Sequence, residues 1–161
     1  MATTLDPTAS SQNRNTLHAV SGQMDLDLNV TAHAIHHAKH LLMTGVRMWG
    51  LDELAPDVGL VMSELLTNVL QHAVSPDGSP VDRARCVVLR VPTGVVIVVH
   101  DGDPTPPREQ PASDSGLNGR GLTIVRRLAA SVVVTPSPVG GKDITVQLEQ
   151  LCSDRSGISA A

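Results

Sequence analysis

The sequence predicts an α/β (α+β) two-layer sandwich, a mostly antiparallel sheet with its helices on one face. Three observations carry that expectation. Two segments before residue 75 repeat their apolar residues at three- and four-residue steps, the period of a helix. Four later segments are short, rich in Val and bounded by Gly, Pro or Ser, as strands are. The order is helix, helix, strand, strand, long loop, helix, strand, strand, with no longer repeat that would suggest a solenoid.

The elements follow in order. Residues 1–19 are rich in Thr, Ser, Ala and Asn, lack a period and read as a mobile arm. Residues 151–161 read as a matching tail, which leaves a folded body over 20–150. From Thr31 to Trp49 the residues Ile35, Ala38, Leu42, Val46 and Trp49 form one apolar stripe, and Gly50 ends the helix. A second helix is expected from Pro56 to Ala73, entered through Ala55-Pro56-Asp57 and left through Ser75-Pro76-Asp77-Gly78. Strands over Cys86–Val91 and Val95–His100 flank Pro92-Thr93-Gly94 as a hairpin. Residues 101–118 are Pro-rich and aperiodic, and a loop this long in a small domain reads as a functional lid over 103–118. A helix over Gly121–Ala130 and strands over Val132–Thr135 and Ile144–Leu148 complete the body.

Composition narrows the functional classes. A chain of 161 residues makes one domain, large enough to bury a core without disulfides or a structural metal. Twelve Lys and Arg against sixteen Asp and Glu give a net charge of −4, which argues against a broad grip on nucleic acid. One Trp and no Phe or Tyr leave an aliphatic core and no platform for stacking bases. Cys86 and Cys152 lack ligand-like spacing. No apolar run approaches the ~20 residues of a membrane span, and residues 1–20 lack the apolar stretch of a secretion signal, so a cytoplasmic protein is expected.

Three short motifs could carry chemistry. On the second helix Val58, Met62, Leu65, Leu66, Val69, Leu70 and Ala73 fall on one side, with Glu64, Thr67, Asn68, Gln71 and His72 on the other. Glu64 and Asn68 are one turn apart, about 6 Å along the axis. The Asn carbonyl suits a hard cation such as Mg²⁺, and the Glu suits a proton acceptor. The alternative is a solvated polar face. Asp101-Gly102 ends the strand VVIVVH, where an Asp can accept from an exocyclic amine such as that of adenine, though Asp-Gly is also an ordinary turn. Gly119-Arg120-Gly121-Leu122 precedes an apolar helix, where free backbone N–H groups and Arg120 could cradle phosphate, or simply make a tight connection.

Together the three motifs resemble the GHKL (Bergerat-fold) ATPases, with Glu64 and Asn68 similar to the N box, Asp101-Gly102 to the first glycine box and residues 119–122 to the second. The short anti-sigma regulatory factor branch of actinobacterial type is the most similar, through Trp49-Gly50-Leu51, Asp57-Val58, Ser63-Glu64-Leu65, Thr67-Asn68, His72-Ala73, Gly119-Arg120-Gly121-Leu122 and Gly141-Lys142. This resemblance covers about residues 31–148. It implies ATP and Mg²⁺ as cofactors, Glu64 as the catalytic base and Asn68 as the metal ligand. It also implies nucleotide contacts from Asn68, His72, Asp101, Gly102, Gly119, Arg120, Gly121, Leu122 and Lys142. Three positions depart from the pattern. Pro104 replaces a glycine, Ser131-Val132 replaces Trp-Gly, and Asp143 replaces a Thr that helps to seat adenine, so an extra carboxylate is expected beside the nucleotide.

The resemblance implies an ATP-dependent serine/threonine kinase acting on an anti-anti-sigma protein, or a sequestering partner of an RNA polymerase sigma factor, and it admits a homodimer. A switch that binds nucleotide without chemistry is the alternative. A histidine-kinase-type catalytic fragment ranks last, for want of a preceding phospho-acceptor helix. His33, His36, His37 and His40 form i, i+4 pairs that could hold a metal, but all lie opposite the apolar stripe and read as solvated or partner-facing surface.

Overall fold

The computed structural model describes residues 15–107 and 121–151. Six strands form one sheet in the order β1-β2-β3-β4-β6-β5, with every neighbouring pair antiparallel. The strands are β1 (Thr16–Val20), β2 (Gln23–Asn29), β3 (Arg83–Val91), β4 (Gly94–Asp101), β5 (Ser131–Pro136) and β6 (Lys142–Glu149). Three helices accompany them: α1 (Ala32–Met48), α2 (Ala55–His72) and α3 (Gly121–Leu128). The expected two-layer fold is present. Among the described residues no helix is long and apolar enough to cross a membrane.

Two strands depart from the expected order. Thr16–Ala19, placed by composition in a mobile arm, joins Val20 in β1, which pairs with Gln23–Asp27. Its partner β2 carries the alternation Met24, Leu26, Leu28, a half-buried strand pattern that the helix and Val-run signals do not include. Met24, Leu26 and Leu28 are buried beneath the helices, while Asp25 and Asp27 turn outward to pair with Arg85 and Arg83 of β3.

Helix α1 starts where Thr31 accepts a hydrogen bond from the Ala34 N–H at 3.1 Å, an N-cap that satisfies one orphan donor. It ends where Gly50 adopts φ 76°, so that the Gly50 and Leu51 N–H groups reach the Arg47 and Val46 carbonyls. The stripe of Ala34, Ile35, Ala38, Leu42 and Val46 is buried as its spacing requires. A 3₁₀ turn over Asp52–Leu54 leads into α2, whose Pro56 sits where its missing N–H costs nothing. Helix α2 packs against α1, α3 and β4, so it buries more than one stripe. Val61 is sealed, while Leu70, expected on the apolar side, is 43% exposed.

The core is aliphatic throughout, from Leu28 and Leu42 to Met62, Leu66, Ile97 and Leu148. Cys86 lies inside it on β3, where burial pushes its thiol strongly up and keeps it protonated. The topological step that matters for function is the pairing of β4 with β6 rather than with β5. It sets Asp101 opposite Lys142 and His100 opposite Asp143.

Candidate functional site

A cavity of about 280 Å³ opens where the C-terminal half of α2 meets the end of β4 and the start of β6. Leu65, Asn68, Val69, His72 and Ala73 line it from α2, Lys142 and Ile144 from β6, and Val74, Asp101, Asp103, Thr105, Pro106 and Pro107 from the connections. Its size is near the lower end for small-molecule sites, and its walls are largely apolar with a few convergent polar groups.

Those polar groups are built around a buried ion pair. Asp101 is 2% exposed and Lys142 is 6% exposed. The Lys142 ammonium donates to Asp101 Oδ1 at 3.0 Å and to the Asp103 carbonyl at 3.0 Å. Asp101 Oδ1 also accepts the Asp103 N–H at 2.8 Å. Oδ2 of Asp101 takes no hydrogen bond among the described residues, yet no sealed side-chain oxygen there lacks a partner. One carboxylate oxygen is thus engaged by the protein, and the other is available to accept a further hydrogen bond. Gly141, at φ 75°, packs so tightly on the backbone of Asp101 and Gly102 that no side chain fits there.

Asp103 is a residue that motif reading missed. It fell inside the expected 103–118 lid, but its side chain is an anchor. Oδ2 accepts the Val74 N–H at 3.1 Å and Oδ1 accepts the Thr105 N–H at 2.8 Å. The segment after β4 is therefore tied to the end of α2, and residues 103–105 are not free to move as a lid. Residues 108–118 of the expected lid lie outside the described residues. The signal was present as the second Asp of Asp101-Gly102-Asp103, an Asx-type acceptor two residues before Thr105. Burial pushes the Asp103 carboxyl up, but the Thr105 and Val74 hydrogen bonds and the Lys142 charge outweigh it and hold it below the usual carboxylate range. Being lowered in the folded state, this group stabilises the anchor above about pH 4, and the contribution is lost as acid protonates it below that. Hydrogen exchange of the Val74 and Thr105 amides, corrected for intrinsic rate, is expected to accelerate as the pH falls from 5 to 3. Asp103→Ala should exchange fast at both. Equal protection at both pH values in the wild type would contradict the anchor.

The structure places the sequence candidates as follows. Asn68, His72, Asp101 and Lys142 come together at the cavity. Glu64 lies one turn beyond Asn68, outside the cavity lining, with its carboxylate against Gly121 at the start of α3, where an added Cβ would collide with it. The side chain of Leu122 is buried in the core at 8% exposure, because the first turn of α3 packs inward, so only its backbone is left to meet a nucleotide. Gly102 does not line this cavity. It faces the opposite depression beside Arg83 and His100, and a Cβ there would meet only ordinary contacts with Val81 and Ser75. Gly119 and Arg120 lie outside the described residues. The carboxylate expected beside the nucleotide, Asp143, is turned to the other face of the sheet, because alternate residues of β6 face opposite ways. It pairs there with His100 Nδ1 at 2.7 Å. The four histidines of α1 are exposed, with the His33–His37 and His36–His40 rings 4.1 and 4.5 Å apart. Among the described residues no three His, Cys, Asp or Glu side chains converge on a metal position.

An apolar slot with one open carboxylate oxygen at its floor fits a flat base carrying an exocyclic amine, and the helix beside it offers an amide and a carboxylate. The family model of the histidine kinase-like ATPase domain matches residues 27–148, which span the sheet from β2 to β6 and the whole cavity. The chain belongs to this family. It is an ATP-binding domain of the GHKL type. No curated protein matches the chain. Among the residues that line the cavity, Asn68 could hold a hard cation through its side-chain carbonyl oxygen.

Proposed function

We propose that the protein is an anti-sigma regulatory factor of the actinobacterial type, a kinase that transfers phosphate from Mg·ATP to a Ser or Thr of an anti-anti-sigma partner and/or sequesters a sigma factor. The observation that supports it is the order of groups along α2. Ala73 and His72 flank the base slot, Asn68 follows one turn on, and Glu64 stands beyond the cavity against the start of α3. Ala73 and Glu64 are nine residues apart, about 13 Å along the axis. That separates base recognition from a carboxylate by roughly the reach of an extended triphosphate. When bound, Mg²⁺ would neutralise charge on the phosphates. Glu64 is then placed to accept the proton of an incoming hydroxyl, while Asn68 fixes the phosphate end.

Transfer of labelled γ-phosphate to candidate anti-anti-sigma proteins tests the reading. Binding of ATP and both partners without any transfer would leave the nucleotide-dependent switch in its place.

The contact between Gly121 and Glu64 gives a further expectation. The group that a Cβ on Gly121 would strike is the mobile end of the Glu64 side chain, not backbone. Gly121→Ala should therefore change stability by no more than about 1 kcal/mol, since the carboxylate swings aside and Ala favours the helix. The swing displaces the base, so transfer should fall by about 10-fold or more, a misplacement of order 1 Å being enough. A melting curve and a transfer assay on the same preparation check both halves.

A further inference from the structure

Among the described residues Lys142 is the only Lys or Arg that lines the cavity. Two of its three donors are spent inside the protein, on Asp101 Oδ1 and on the Asp103 carbonyl, each at 3.0 Å. The register of β4 against β6 holds it directly opposite Asp101. A lysine so engaged at the base end of the slot is poorly placed to meet a phosphate. Its charge is instead directed at the carboxylate whose other oxygen faces the ligand.

We propose that Lys142 determines base specificity as a positioning residue, by holding Asp101 as an acceptor-only carboxylate so that the slot takes a purine with an exocyclic amine and rejects one with a carbonyl at that place. The proposal rests on the ATP-binding reading of the cavity. Its chemistry is general. A buried carboxylate stripped of its counter-charge takes up a proton rather than remain ionised in a poorly solvated site. An ionised carboxylate only accepts hydrogen bonds, whereas a protonated one also donates. With Lys142 in place Asp101 therefore accepts from the amine of adenine and repels the carbonyl oxygen of hypoxanthine. Without it, Asp101 can donate to that oxygen and the distinction fades. Among the described residues the charged or titratable groups that share the cavity with Asp101 are Lys142 from β6, Asp103 from the following segment and His72 from α2. Asp103 only adds negative charge, which strengthens the need for Lys142. Asp143 plays no part, being on the other face of the sheet with His100.

Calorimetric titration with Mg·ATP and with Mg·inosine triphosphate tests this at pH 6 and pH 8. The wild type is expected to favour ATP by about 100-fold or more at both, the scale on which a site built for one hydrogen-bonding pattern rejects another. In Lys142→Met that ratio should collapse to within about 3-fold at one or both pH values. Lys142→Arg should keep the wild-type ratio. The pair Asp101→Asn and Asp101→Asn/Lys142→Met separates positioning from direct contact and removes both members of the Asp101–Lys142 ion pair in the double variant, should Lys142→Met alone fail to fold. If Lys142 acts only through Asp101, the two should bind ATP with the same affinity within about 2-fold. Further loss in the double variant would overturn the proposal, as would an unchanged ratio in Lys142→Met at both pH values. A wild type that binds no ATP at millimolar concentration would instead remove the nucleotide reading and the proposal with it.

Discussion

Glu64→Gln is expected to lower phosphoryl transfer by about 100-fold or more, the scale of losing a positioned general base. Affinity for ATP should stay within about 2-fold of wild type. The two effects separate because Glu64 lies outside the cavity, against Gly121, while Asn68, His72 and Asp101 line it. Gln keeps the shape of the side chain and its hydrogen-bonding capacity but cannot take a proton from a hydroxyl. Single-turnover transfer with saturating ATP isolates the chemical step from binding. Equal rates for wild type and variant would leave the kinase in place but remove Glu64 from its mechanism. A parallel loss of ATP affinity would mean that the carboxylate holds nucleotide or cation rather than a proton.

Gly141→Ala is expected to cost about 2–4 kcal/mol and to lower the melting temperature by roughly 10 °C. Gly141 has φ 75°, a left-handed conformation that costs an Ala about 1–2 kcal/mol. The new Cβ would also strike the Asp101 carbonyl and the Gly102 Cα, which are backbone and cannot rotate away. Such overpacking adds about 1–3 kcal/mol. Since the displaced backbone carries Asp101, ATP affinity should fall by about 10-fold or more as well. Gly78→Ala is the control: φ is 85° there, and a Cβ would find open space. That variant should lose about 1 kcal/mol and no ATP affinity. If Gly141→Ala were no worse than Gly78→Ala, the close packing of β6 on Asp101 would not be a constraint on the site.

The helices were the most legible part of the sequence, because a 3.6-residue period repeats over 17 residues in α1 and 18 in α2. The Val-rich strands β3 and β4 were legible from their composition, though short of their true ends. The first hairpin was not. Its outer strand β1 is exposed at every position, so no burial pattern marks it, and only pairing with β2 orders it. The polar face of α2 was readable as a site candidate from the spacing of Glu64, Asn68 and His72. The individual contributions of the loop residues were less so. The resemblance marks Leu122 only as part of a glycine loop, and the burial of its side chain in the core comes from its place in the first turn of a helix that packs inward. Asp103 looked like part of a lid because its neighbours are prolines, yet its two backbone hydrogen bonds anchor it to the end of α2.

By itself the sequence determined the layer architecture, the buried face of each helix and the residue types available for nucleotide chemistry. All of these follow from local periodicity and side-chain character. Only the tertiary structure decided which groups meet. Asp101 and Lys142 are 41 residues apart and become a buried pair because β6, not β5, lies beside β4. The same register turns Asp143 away from the cavity to His100, one residue from Lys142 in sequence and on the opposite face of the sheet. A strand exchanges faces at every residue, so a motif that runs along it cannot say which of its members reaches the site. That assignment depends on which strand becomes the neighbour and in what register, and the burial of one face of the central strands beneath the helices sets both.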